Sequence, residues 1–460
     1  MAIIRHFLFL FFLLSSCGYH KPVIRTLPDA DREPKRILFI AFDGIGYDFM
    51  AELKAEGHFK DWQDPIPLNV TFPSDTTIGF TGIFKPLRVG KVPGYETRFY
   101  SYRENKVIGG TPWEIYRIPI NYKTYFDSFR HTMFEKGMMY TFPGVAGKED
   151  LVRIRRLLSS SKKKILFAYV GATDGSQHML GKKRAKRFMV FADRYLSKMK
   201  RDYERTHKEP LRIVMLSDHG FHYDSLRMIP PGKIGRALKK GGMELSPRLR
   251  EKKDVVLVQY GLLSSGVMVT ASGEEERAAR LIRNVRGMDL VFWPDGNKIR
   301  MVDAKEGEAF FEYRWPLTYR YVPLKGDPLD LGRHRGWLSD TDWKNLTAHH
   351  RYPDPGYRLY EAFHNLVENK ASVLFSLKPA YQFGAMSTHY ATKFRLGGHK
   401  GTHGGLFRDV SQGVVMTDDF SMKLPQAIRY DDFFPRFLPR VTEAYRRQGK
   451  TEEVQVLVSH

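Results

Sequence analysis

The chain has 460 residues, 42% of them hydrophobic and 13% aromatic, which is enough to bury one large core or two modest ones. That composition excludes a disordered protein. With 74 Lys and Arg against 51 Asp and Glu the formal charge is +23, which points to phosphorylated substrates, anionic headgroups or polyanions as company. No recognised nucleic-acid-binding motif accompanies the charge, so nucleic acid is disfavoured.

At the N-terminus, Met1 to His6 carry one fixed positive charge at Arg5, Phe7 to Leu14 form an unbroken apolar run, and Ser15-Ser16-Cys17-Gly18 follows. The run is shorter than the ~20 residues a membrane-spanning helix needs. The whole segment resembles a bacterial lipoprotein signal, which implies removal of residues 1–16 and lipidation of Cys17, the chain's only cysteine. A plain secretory signal would instead leave a lone thiol in an oxidising compartment. The expected location is therefore the bacterial cell envelope, with the exported chain held to a membrane by a lipid. Gly18 after the cysteine favours an outer membrane where the cell has one. Residues 17–34, with Pro22, Pro28 and Pro34 among charged side chains, read as a tether.

From Lys35 the pattern is α/β. Arg36–Phe42, Ile165–Val170 and Arg212–Leu216 are short apolar runs with the character of buried parallel strands. Between the last two, Ala185, Phe188, Phe191, Ala192, Tyr195 and Met199 recur at helical spacing, predicting a crossover helix. The stretch from Gly82 to about Gly147, rich in Gly, Pro and aromatics, reads as irregular structure around the mouth of a site. After Ser225 the periodicity shifts. Val255–Gln259, Gly266–Thr270, Asp289–Trp293, Lys298–Val302 and Ala309–Tyr313 read as strands, and Glu274–Val285 as a helix. This predicts an inserted lobe over 226–356, with the α/β core at 35–225 and 357–430. In the returning core Tyr357–Glu368 reads as a helix, with strands at Ser372–Ser376 and near Val414. Residues 431–460 read as a helical extension.

Three basic clusters stand out: Lys162-Lys163-Lys164, Lys182 to Arg187 (KKRAKR) and Arg248 to Lys253 (RLREKK). Such runs are mostly solvated faces. KKRAKR begins four residues after His178 and is the one placed to line an approach for phosphorylated or membrane-surface substrates.

The chemistry-bearing residues lie in short turn-like contexts at the ends of apolar runs: Asp43 in FDGIG, Asp174 and His178 in ATDGSQH, Asp218 and His219 in SDHGF, and His403 in GTHGG. Ligands of open α/β sheets bind beyond the carboxyl ends of the strands, where Asp43, Asp174 and Asp218 would meet. Mixed carboxylate and imidazole donors suit Zn²⁺. Ser74, Thr76 and Thr77 in FPSDTTIGFTG offer hydroxyls, and a hydroxyl is a poor nucleophile near neutral pH without a metal or base. The set suggests metal-assisted attack by a hydroxyl on phosphorus.

In the order FDG, FPSDT, DxxxH, SDHG and GTHGG, the chain resembles the alkaline-phosphatase superfamily, close to its type I phosphodiesterase/nucleotide pyrophosphatase branch, over most of residues 36–417. The resemblance implies a central, mostly parallel sheet flanked by helices, with an inserted α+β cap lobe. It implies two divalent metal ions, Zn²⁺ the favoured identity. Asp43, Thr76, Asp218 and His219 would surround one, and Asp174, His178 and His403 the other. The activity implied is hydrolysis of phosphate esters, diesters or pyrophosphates first, through a phospho-threonine at Thr76, which matches the branch's Phe-Pro-Ser-x-Thr. Ser74 and Thr77 stay open as alternatives.

The match breaks after Thr76, where the branch commonly continues Phe-Pro-Asn-His and this chain has Thr77-Ile78-Gly79. Asn105 or backbone N–H groups after Thr76 are candidate substitutes for the absent Asn. His399 and His222 stand outside the ligand set. A sulfatase is excluded by the lack of the nucleophile-x-Pro-x-Arg pattern, and export argues against a glycolytic mutase. A phosphomonoesterase, a phosphoethanolamine-type transferase and an inactive binding lipoprotein remain as alternatives.

Overall fold

The computed structural model describes residues 27–109, 121–130, 133–259, 261–332 and 336–458. Cys17 and the signal-like segment lie outside the described residues. Among those described, no helix is long and apolar enough to cross a membrane.

The main sheet has six strands: β1 (Arg36–Phe42), β2 (Ile66–Asn69), β3 (Ile165–Val170), β4 (Leu211–Leu216), β5 (Gln412–Thr417) and β6 (Ile428–Arg429), in the spatial order β6-β2-β5-β4-β1-β3. β1 runs parallel to both β3 and β4, while β5 is antiparallel to β4 and β2. Every residue of β1 is buried, because the strand is covered on both faces. Its alternation divides two layers. Leu38, Ile40 and Phe42 face one apolar cluster, and Ile37, Phe39 and Ala41 face another.

Helices α1 (Tyr47–Ala55), α3 (Pro143–Ser160) and α5 (Lys182–His207) supply the first layer through Met50, Ile154 and Ala192. The crossover helix is thus present, with Phe191 and Tyr195 half-buried at its edge. On the opposite face, α2 (Thr76–Phe84) inserts Ile78, Phe80 and Phe84, joined by Phe433, Phe434 and Phe437 near the C-terminus. Two helices, Met133–Thr141 and α3, begin inside the stretch read as irregular. Gly137, Gly144 and Gly147 blur their pattern, and Pro143 divides them.

The inserted lobe is a nine-stranded sheet, antiparallel in all but one pairing. Its inner face shares a core with the main sheet, Phe292 meeting Phe72 at 5.5 Å, and its outer face carries helices Pro231–Lys240 and Glu275–Ile282. The expected boundary is corrected in one place: Val373–Leu377, assigned by sequence to the returning core, lies inside this second sheet, between Ser265–Thr270 and Met288–Asp295. A period-two apolar run carries no label for the sheet it joins. Residues 27–34, the end of the expected tether, are also docked: Leu27 and Ala30 pack on the core, and Arg440 donates to the Arg32 carbonyl at 2.6 Å.

Candidate metal centre

The carboxyl ends of β1, β3 and β4 lie side by side, Phe42 opposite Val170 and Ala41 opposite Leu216, so the turns after them open at one edge. Asp43 follows β1 directly. Gly44 turns the chain at φ +73°, and a Cβ there would stand 2.9 Å from Phe221 and 3.1 Å from His219, so a side chain would crowd the centre. The Gly44 N–H donates to Asp218 Oδ1 at 3.2 Å.

The segment after β3 is not a turn. ATDGSQH opens helix α4 (Ala172–Leu180), and the i,i+4 spacing puts Asp174 and His178 on one face. Gly175 is what permits it: a Cβ at that position would sit 2.0 Å from the Met139 carbonyl oxygen. The close approach of the Met133–Thr141 helix lets the Tyr140 hydroxyl donate to Asp174 Oδ2 at 3.0 Å.

Six side chains form two buried groups, Asp43, Asp218 and His219 in one, and Asp174, His178 and His403 in the other. In the first, His219 Nε2 lies 3.3 Å from Asp43 Oδ1 and 3.7 Å from Asp218 Oδ2. In the second, Asp174 Oδ1 lies 3.3 Å from His178 Nε2 and 3.7 Å from His403 Nε2.

Backbone carbonyls fix all three imidazoles. Nδ1 of His178 meets the Gly401 oxygen at 2.9 Å, Nδ1 of His219 the Gly220 oxygen at 3.0 Å, and Nδ1 of His403 the Ser74 oxygen at 2.8 Å. A carbonyl only accepts, so each Nδ1 carries a proton and each ring turns its Nε2 toward the centre.

Two observations fit these groups to cations. Asp174 Oδ1 and Asp218 Oδ2 are buried with no hydrogen-bond partner, and a buried carboxylate oxygen left so is costly unless an ion takes it up. The electrostatics also call for positive charge. Burial, with the charges of Asp218 and Asp174, raises the Asp43 carboxyl well above its ordinary range. Burial opposes a charged His219, yet the surrounding carboxylates of Asp218, Asp43 and Asp174 outweigh it and push that imidazole up to about 10. Burial and the neighbouring His219 hold His403 well down. Divalent ions held by the six side chains would answer both demands, and mixed carboxylate and imidazole donors suit that role.

Thr76 is the first residue of α2, whose N-cap Asp75 accepts from the Thr77 N–H at 2.9 Å. Its Oγ1 stands 3.3 Å from Asp43 Oδ1 and 3.4 Å from His219 Nε2, and the residue keeps partial exposure. Ser74 is fully buried, donating to the Gly405 carbonyl at 3.0 Å and accepting from the Gly404 N–H at 3.2 Å. Thr77 is buried in the helix.

Asn105 is held elsewhere. Its Nδ2 donates to the Leu249 carbonyl at 2.9 Å and its Oδ1 accepts from the Leu249 N–H and the Tyr100 hydroxyl, so the amide pins a hairpin turn to the inserted lobe. His222 bonds Asp409, and His399 lies with its ring 4.7 Å from that of His178.

Three contributors were not evident from sequence. The Tyr169 hydroxyl donates to Asp43 Oδ2. Tyr140 serves Asp174 as above. Arg358, fully buried, donates to the carbonyls of Val70 and Thr71 before the nucleophile turn and of Leu406 after His403, and to Ser411 Oγ. A polar-tipped Tyr near the end of the apolar β3 was the one available sign for Tyr169; nothing in the sequence marked Arg358.

A mostly parallel sheet flanked by helices, with metal-ligand residue types at its strand ends, defines an alkaline-phosphatase-like α/β fold. The chain shares that fold with phosphonoacetate hydrolase from Sinorhizobium meliloti 1021 in complex with phosphonoacetate, at a TM-score of 0.51 and 13% identity over 87% of this chain and 94% of that one. Human ectonucleotide pyrophosphatase/phosphodiesterase 5 is also similar, at a TM-score of 0.47 and 10% identity over 88% and 95% of the two chains. No family model and no curated protein matches the sequence.

Proposed function

We propose that this chain is a metal-dependent hydrolase of phosphate esters, acting first on diesters or pyrophosphates, with Thr76 as the nucleophile. The observation that carries the reading is the Thr76 hydroxyl, partly exposed at the start of α2 and within 3.4 Å of both Asp43 and His219. Bound divalent ions, Zn²⁺ favoured, would lower the cost of an alkoxide and neutralise charge developing on the phosphoryl oxygens.

The residues do the rest. Asp43 and His219 hold the Thr76 hydroxyl beside the place where an ion would sit, and its proton passes to solvent at the partly exposed start of α2. Oγ1 forms a bond to phosphorus as the bond to the departing ester oxygen breaks, and that oxygen leaves with the electron pair. Water then attacks the phospho-threonine, restoring the hydroxyl and releasing phosphate or a monoester. The Thr77 N–H is taken by the Asp75 carboxylate, so of the backbone groups after Thr76 it is not free to replace the absent Asn on a phosphoryl oxygen.

Diesters are favoured because the motif order FDG, FPSDT, DxxxH, SDHG and GTHGG resembles the type I phosphodiesterase/nucleotide pyrophosphatase branch. The N-terminal pattern supports an exported, lipid-anchored protein, the lipid carried by Cys17.

Metal content, and turnover of bis-p-nitrophenyl phosphate beside p-nitrophenyl phosphate, test the reading in wild type and Thr76→Ala. Expected are about two bound divalent ions per chain, faster diester cleavage, and loss of turnover in Thr76→Ala with metal retained. Bound metal with no turnover of either ester would point instead to a binding protein, and a strong monoester preference would overturn the substrate class.

A further inference from the structure

Five cations of the three basic clusters conspicuous in the sequence are ion-paired in the fold. Lys182 and Lys186 pair with Glu52, Lys163 with Asp127, Lys164 with Glu209, and Lys253 with Glu244 and Glu251. A different set of cations is not. On the inserted lobe, a groove of about 980 Å³ is lined by basic side chains from two stretches of chain, residues 227–240 and 280–286, and by no carboxylate. Helix Pro231–Lys240 buries Ile234 and Leu238 against the second sheet, and Lys233, Arg236 and Lys240 line the groove. Arg227 and Arg286 enter from outside that helix and converge on the hydroxyl of Tyr381, a neutral group that leaves both charges in place. Arg280 on the wall is compensated by Glu308 and Glu276; the other five have no ion-pair partner among the described residues.

We propose that this groove is a second anion site, distinct from the metal centre, that takes a ligand with clustered phosphate groups. Five like charges held together on ordered elements raise the local potential and favour anions. Guanidinium forks match phosphate oxygens. Lys233 and Lys240 are about 10 Å apart along the helix axis at ~1.5 Å per residue. A single phosphate does not span that distance, whereas a polyphosphorylated molecule or an array of lipid headgroups does.

The test uses the full chain, a groove variant (Lys233→Ala, Arg236→Ala, Lys240→Ala) and a control variant that removes three exposed cations from α5 (Arg194→Ala, Lys198→Ala, Arg201→Ala). Binding is measured to tripolyphosphate, to phosphatidylcholine vesicles doped with phosphatidylglycerol, and to plain phosphatidylcholine vesicles, with diester turnover as a check that the metal centre is unchanged. At about fivefold per surface cation, the groove variant binds roughly a hundredfold more weakly and the control binds as wild type. Groove-dependent binding of tripolyphosphate alone assigns a soluble ligand, and groove-dependent binding of the doped vesicles assigns headgroups. The proposal is overturned if wild type binds neither probe, if the groove variant binds as wild type does, or if the control loses as much as the groove variant.

Discussion

The imidazoles of His219 and His403 stack with ring centroids 3.7 Å apart and planes 12° from parallel, so a ligand of each candidate metal group rests on a ligand of the other. Neither ring can shift without disturbing its neighbour. In His403→Ala, metal per chain is expected to fall by more than one ion, and the double variant with His219→Ala to be little worse than the more severe single. Metal analysis after dialysis checks this, and retention of one ion at wild-type affinity in His403→Ala would show the groups to be independent.

Tyr169 acts on the centre through Asp43. Its hydroxyl donates to Asp43 Oδ2, while its ring stacks on Phe129 at 4.7 Å and meets Phe80 edge-on at 5.7 Å. Tyr169→Phe removes the hydroxyl and leaves that ring packing available. Metal affinity is expected to fall about 10–100-fold, as for other groups that orient a ligand, with the melting temperature nearly unchanged. Competition with a chelator of known affinity measures the first and thermal unfolding the second.

The main sheet was legible in the sequence because β1, β3 and β4 are buried on both faces, which makes each a continuous apolar run with its chemistry at the end. The second sheet was legible as strands, yet Val373–Leu377 was joined to the wrong one, since its neighbours Val267 and Phe292 are distant in sequence. The α4 helix was hidden by Gly175 and Thr173, poor helix formers kept for close packing and for a hydrogen bond to the Asp43 carbonyl at 2.7 Å. Tyr169 and Arg358 were illegible for another reason. Their partners lie 126 and up to 288 residues away, and no periodicity reports such contacts.

Arg358 ties the segment before Thr76 to the segment after His403. Burial draws its guanidinium down to about 9, so the charge is held at a cost that its ring of carbonyl acceptors offsets. Arg358→Met leaves those oxygens buried without a donor and is expected to cost about 3–5 kcal/mol, read as a lowered denaturation midpoint. Turnover is expected to fall as well under conditions where the variant is still folded, because two loops of the centre lose their common anchor. Wild-type stability would show that water or a rearranged backbone replaces the clamp.

His222 offers a pH test that leaves the six metal-group side chains untouched. Its hydrogen bond to Asp409, with the charge of that carboxylate, outweighs partial burial and raises the imidazole above its ordinary value of 6.5. Below 6.5 the imidazole is charged whether the chain is folded or not, and the ion pair stabilises the fold in full. As the pH climbs through the raised folded value the proton is lost and that contribution vanishes. Wild type should therefore lose stability over this window, by no more than about 1 kcal/mol for a pair with partial solvent access. Asp409→Asn should be less stable than wild type at the acid end and lose less across the same range, so the two unfolding curves converge toward alkaline pH. Parallel pH profiles for the two proteins, measured by chemical denaturation, would show that the pair makes no such contribution.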